Sequence, residues 1–126
     1  MKKCSQENTN RYSVKYYEHY SSEKKFYTVM ELCDCNLQSF LNKKETGFND
    51  KEIHEILTQL NNTFNIMDKN NIIHRDLKLG NILVKFENNE KTKYTVKLTD
   101  FGVSKQLLSE TRKMKTHIGT NITMAP

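Results

Sequence analysis

The spacing of apolar residues changes several times along the chain, and each change marks a new kind of element. Residues 1–13 are mostly polar and read as a lead-in, frayed over its first part up to Asn10. Val14 to Tyr20 and Phe26 to Leu32 are rich in β-branched and aromatic residues on either side of the polar run Ser21 to Lys25, which predicts a β-hairpin. Leu37, Phe40 and Leu41 then stand at i, i+3 and i+4, the spacing of a short helix over Asn36 to Lys44 with Gly47 ending it. A longer helix follows. Asn49 sits three residues before Glu52 as a cap, and Ile53, Ile56, Leu57, Leu60, Phe64 and Met67 keep the helical period to about Lys69. After Asn70 and Asn71 the pattern shortens to strands at Ile72–Ile73, Ile82–Phe86 and Tyr94–Leu98, the last two joined by a polar Glu87 to Lys93 loop. From Gly102 onward no period survives, and a long irregular stretch inside a domain is usually functional or mobile.

Composition narrows the class. The 126 residues have room for one domain or part of one. Residues 14–126 carry the structured pattern. With 36% hydrophobic and 28% charged residues and a mean hydropathy of -0.78, the chain is polar but keeps enough apolar side chains to fold. No membrane segment is expected, because no apolar run approaches the ~18–20 residues of a span, and the first residues lack a signal-peptide core. A cytoplasmic location is the expectation. Cys4, Cys33 and Cys35 are an odd number and too closely and sparsely placed for a four-ligand zinc site, so they read as reduced thiols. The net charge of +5 comes from lysines spread without a dense block and without interleaved Arg and aromatics, so no nucleic-acid partner is expected.

The chemistry concentrates in two short runs. His74-Arg75-Asp76-Leu77-Lys78-Leu79-Gly80-Asn81 lies between strand-like apolar segments, and Asp100-Phe101-Gly102 directly follows the last strand. Gly119-Thr120 and Met124-Ala125-Pro126 come later in the same order. These residues resemble the eukaryotic protein kinase family, whose ordered signatures are H-R-D-L-x-x-x-N, D-F-G and A-P-E. The resemblance implies an α+β fold, a partial kinase domain running from the end of the small lobe through the hinge and catalytic loop to the activation segment. No G-x-G-x-x-G loop and no V-A-I-K-like strand stands among the 126 residues.

What the resemblance implies for function is ATP-dependent phosphorylation of serine or threonine hydroxyls on a protein substrate, with ATP and Mg²⁺ as cofactors. By the match of motifs, Asp76 accepts or orients the proton of the substrate hydroxyl and Lys78 places positive charge near the transferred group. Asn81 and Asp100 supply oxygen ligands to Mg²⁺. Val29 to Asp34 resembles the strand-to-linker segment that reads adenine: Met30 gates the pocket, the Glu31 carbonyl and Cys33 amide face the base, and Leu83 forms the floor. Arg75 resembles the arginine that pairs with a phosphate on the activation loop, added by an upstream kinase at Thr116 or, next in preference, Thr111. His74 is expected to brace the loop, and Lys85 and Lys97 to be plain strand-surface charges. The isolated chain is not expected to phosphorylate a protein at a useful rate. The alternative is a noncatalytic, pseudokinase-like module that binds nucleotide or a partner.

Overall fold

Alternation along Ile82–Phe86 and Tyr94–Leu98 sends one set of side chains to each face of a pleated sheet. The computed structural model describes residues 10–23, 25–101 and 105–106. The chain runs through β1 (Tyr16–Ser22), β2 (Lys25–Met30), β3 (Cys35–Asn36), α1 (Leu37–Asn42), α2 (Asp50–Lys69) and β4 (Ile72–Ile73). A 3-10 turn at Leu79–Asn81 then leads into β5 (Ile82–Phe86), β6 (Tyr94–Leu98) and β7 (Lys105–Gln106). Among the described residues the strands form three antiparallel sheets: β1-β2, β3-β5-β6 and β4-β7. The mixture is the expected α+β type.

The core is the face of β5 and β6 that meets α2. Ile82, Val84, Val96 and Leu98 are buried there against Ile56, Leu60 and Met67 of the helix, with Leu37 of α1 alongside. Each such side chain contributes on the order of 1.5–3 kcal/mol of gross burial energy, which is why this layer dominates. Ile53 and Leu57, on the same predicted stripe, remain exposed. The helix starts where the sequence places it: the Asn49 side chain accepts from Glu52 N, and the Glu52 carboxylate accepts from Asn49 N, both at 3.0 Å.

Two element boundaries are corrected. The hairpin ladder extends to Ser22 opposite Lys25, so its loop is tighter than the run Ser21 to Lys25. The first helix stops at Asn42, and Gly47 instead occupies a later turn with φ 71°, a left-handed conformation that suits glycine. Lys105 and Gln106, in the stretch without periodicity, pair with β4.

Lys97 is not a surface charge. It is 8% exposed, and its Nζ meets Glu31 Oε2 at 3.0 Å and the Arg11 carbonyl at 2.7 Å. Lys85 Nζ lies 2.6 Å from Glu31 Oε1. Both lysines project from the face of β5-β6 opposite the core, and both converge on one carboxylate. That carboxylate is the junction between the hairpin and the sheet, because Glu31 follows β2 directly and its N donates to the Lys15 carbonyl at 2.7 Å. Every residue of β1 is exposed, and β2 is nearly as bare, so the hairpin gains little from side-chain burial on the body. Two further ties help: Val14 N donates to the Leu98 carbonyl at 3.1 Å, and Leu98 N to the Tyr12 carbonyl at 2.9 Å.

Burial alone raises the Glu31 pKa, but hydrogen bonds from Lys85, Lys97 and the Lys15 amide outweigh it and bring the value from 4.5 down to about 2. A carboxylate with a depressed folded-state pKa stabilises the fold above its unfolded value, and the contribution fades as pH falls toward the folded value. Between about pH 6 and pH 3 the native protein therefore loses on the order of 2 kcal/mol more unfolding free energy than Glu31→Gln. Urea titrations of both proteins at the two pH values check this, and equal losses contradict it.

Candidate active site

The register of β5 against β6 decides which loop residues meet. Ile82 stands opposite Leu98, and one step further Thr99 N donates to the Asn81 carbonyl at 3.0 Å. The ladder thus delivers Asn81, at the end of the 3-10 turn, beside the segment that continues into Asp100. The loop from His74 to Lys78 is stitched to the same end. His74 is 5% exposed; its Nε2 lies 2.9 Å from the Thr99 carbonyl and its Nδ1 lies 3.4 Å from the Asp76 amide. An amide only donates and a carbonyl only accepts, so the ring carries its proton on Nε2. The His74 and Phe101 rings pack in a tilted, T-shaped arrangement with centroids 5.1 Å apart. His74 is therefore a brace, as expected.

Asp76, Lys78 and Asn81 come together. Asn81 Nδ2 donates to the Asp76 carbonyl at 2.9 Å and to Asp76 Oδ2 at 3.0 Å, and Lys78 Nζ lies 2.8 Å from the same Oδ2. Both Asp76 partners of the amide are acceptors, which fixes the amide orientation and puts Asn81 Oδ1 on the branch away from Asp76. Asn81 is 8% exposed, and the Asp76 side chain is 13% exposed against 37% for Lys78. A carboxylate so placed is held in orientation while its cationic partner stays in reach of solvent.

Two non-glycine residues of the motifs adopt left-handed backbone: Arg75 with φ 67° and Asp100 with φ 62°. Each costs about 1–2 kcal/mol, more readily accepted by Asp than by Arg. The His74 contacts to Thr99 and Asp76 lie between them and keep the geometry. Thr111 and Thr116, and Gly102, lie outside the described residues.

The residues expected to face a nucleotide lie on β2, on the link that follows it and on β5. Leu83 pairs with Lys97 on β6 and with Asn36 on β3, so it shares the face that carries Glu31. Met30 closes β2, half exposed, and Glu31 and Cys33 lie in the link before β3. Burial and the Glu31 charge push the Cys33 thiol pKa up, which keeps it a neutral thiol rather than a competing nucleophile.

Two residues of α2 escape a search for apolar periodicity. Gln59 accepts from Val96 N at 2.8 Å and donates to the Tyr94 carbonyl at 3.3 Å, closing the outer edge of β6. Thr63, 2% exposed, donates to the Tyr12 carbonyl at 3.0 Å and accepts from Asn10 at 3.1 Å. Polar residues on the inward face of an amphipathic helix are the only sequence signal for either.

Concavity marks the motif only in part: a groove of about 330 Å³ beside the end of α2 is lined by His74, Arg75 and Leu77, but not by Asp76, Lys78 or Asn81. A groove of about 460 Å³ between α2 and β6, bounded by Lys51, His54, Glu55 and Thr95, contains none of the motif residues. Among the described residues no three His, Cys, Asp or Glu side chains cluster to hold a metal by themselves, and no helix is long and apolar enough to cross a membrane.

Comparison with known proteins agrees with the motifs. The model of the protein kinase domain matches residues 1–126. Serine/threonine-protein kinase 4 homolog B of Dictyostelium discoideum is 35% identical over 127 aligned residues, covering 100% of this chain and 11% of the relative. Serine/threonine-protein kinase 33 of Mus musculus is 35% identical over 112 residues, 85% of this chain and 23% of that protein. Serine/threonine-protein kinase 10 of Homo sapiens is 31% identical over 116 residues, 91% of this chain and 11% of the relative. The chain therefore spans between 11% and 23% of the length of these relatives. With its whole length matched and its loop, strand pair and helix arranged as described, the chain belongs to the protein kinase domain family.

Proposed function

We propose that this chain carries the catalytic centre of an ATP-dependent serine/threonine protein kinase, transferring the γ-phosphoryl group of ATP to a hydroxyl of a protein substrate. One observation carries the reading: Asp76 Oδ2 is shared between Asn81 Nδ2 at 3.0 Å and Lys78 Nζ at 2.8 Å. Phosphoryl transfer asks little covalent work of the protein and much positioning of charge. In that setting Asp76 orients the hydroxyl and takes its proton as the oxygen turns on phosphorus. Lys78 sets positive charge beside the oxygens of the group in transit.

Asn81 Oδ1 and the Asp100 carboxylate are hard oxygen donors, two in number, and they fit a cation that fills the rest of its shell with phosphate oxygens and water. When bound there, Mg²⁺ neutralises phosphate charge. Met30, the Glu31 carbonyl, the Cys33 amide and Leu83 are assigned to adenine, on the face of the sheet that Leu83 and Lys97 share. Arg75, held by its left-handed backbone next to Asp76, is assigned to a phosphate on the segment that contains Thr111 and Thr116.

Two outcomes are expected of the whole protein. Asp100→Ala abolishes Mg²⁺-dependent ATP turnover, and Asp76→Asn lowers kcat by at least about a hundredfold while ATP binding persists, because only the first removes a cation ligand. Labelled-phosphate incorporation and ATP titration read both, and turnover that survives Asp100→Ala contradicts the assignment. Mass spectrometry of the active protein finds phosphate on Thr116, or failing that on Thr111; an active protein with neither modified refutes the role given to Arg75.

A further inference from the structure

The link between hairpin and sheet is pinned at both ends by side chains that the chemistry leaves unused. At its start, Glu31 presents its carboxylate to Lys85 Nζ at 2.6 Å and Lys97 Nζ at 3.0 Å. At its end, Asp34 N donates to the Val84 carbonyl at 2.9 Å, and Asp34 Oδ2 accepts from Phe86 N at 2.9 Å. Between the pins lie only Leu32, 88% exposed, and Cys33. Leu32 packs on almost nothing, so side-chain burial does not set the conformation of these peptides. The ion pairs and the Asp34 hydrogen bonds do.

We propose that Lys85 and Lys97, through the Glu31 carboxylate, act with Asp34 as positioning residues that hold the Glu31 to Asp34 backbone in the geometry that reads an adenine base. The inference rests on the nucleotide reading given above and adds the residues that make the link rigid. Backbone recognition of a flat base needs a carbonyl and an amide fixed relative to each other, and a link free to rotate loses affinity to ordering entropy. The two lysines divide the work. Lys97, with its side chain 10% exposed and also bonded to the Arg11 carbonyl, is the fixed post; Lys85, 45% exposed, closes over the carboxylate from the solvent side. The arrangement also explains why two lysines stand on the face of β5 and β6 that carries Leu83. They complete a wall whose apolar member faces the base and whose charged members hold the link.

The test separates base from phosphate. In the whole protein, Lys85→Met removes one arm without leaving a buried cation unpaired, and Glu31→Gln removes both arms. Each variant is titrated with adenosine and with magnesium tripolyphosphate, which offers the phosphates without the base. The expected result is an adenosine Kd raised about tenfold in both variants, restored by Lys85→Arg, with the tripolyphosphate Kd unchanged; KM for ATP rises without a matching fall in kcat. A purely structural role lowers the melting temperature and leaves both Kd values at the native level, and that outcome overturns the proposal. Equal weakening toward adenosine and tripolyphosphate overturns it too. Native protein that binds neither adenosine nor Mg-ATP overturns the nucleotide reading itself. Normal adenosine binding by native protein and variants alike overturns only the positioning role.

Discussion

The antiparallel register between β5 and β6 is the constraint on which the rest of the structure depends. Val84, Val96 and Leu98 are fully buried against α2, and the strand period is two residues. A slip of one residue would turn these side chains to the opposite face and bring Lys85 and Lys97 into the core, a cost of many kcal/mol. The register that burial enforces is the one that sets the Asn81 carbonyl against Thr99 N. Two motifs separated in sequence thus meet at one end of one sheet because hydrophobic side chains at its middle permit no other pairing.

Around that fixed point the loop stores strain. Arg75 and Asp100 both hold positive φ, and neither is glycine. The buried ring of His74 bridges the two segments, to Thr99 on one side and to the Asp76 amide on the other. The same bracing aims the Asp76 carboxylate at Lys78 and Asn81. The geometry of the Asp76 cluster follows from backbone strain that packing and polar contacts over-determine.

What the sequence made legible was local. Asn49 and Glu52 mark the start of α2 because capping needs only residues three apart, and Ile56, Leu60 and Met67 declare their shared face through period alone. The motif residues Asp76, Lys78 and Asn81 lie within six positions of one another and do meet. The long-range polar contacts were not legible. Lys97 looked like a surface charge because strands commonly carry one on the outer face; its partner Glu31 is remote in sequence, and nothing local announces the pairing. Gln59 and Thr63 interrupt an apolar pattern in the helix, yet they satisfy backbone groups of β6 and Tyr12 that no periodicity records. The hairpin loop is shorter than its polar run because polar composition does not distinguish the last ladder residues from the turn.

The central claim is that the β5-β6 register places Asn81 and Asp100 together as the cation-facing pair of a nucleotide site. Paramagnetic broadening by Mn²⁺ in the presence of ATP tests it most directly, read from the amide resonances of the nitrogen-15-labelled protein. The account predicts that Asn81, including its side-chain amide, and Thr99 and Asp100 broaden at the lowest Mn²⁺ concentrations while Lys51 to Glu55 of α2 stay sharp. Broadening centred on the α2 groove, or an Asn81 signal that remains sharp when ATP and Mn²⁺ are saturating, would contradict it.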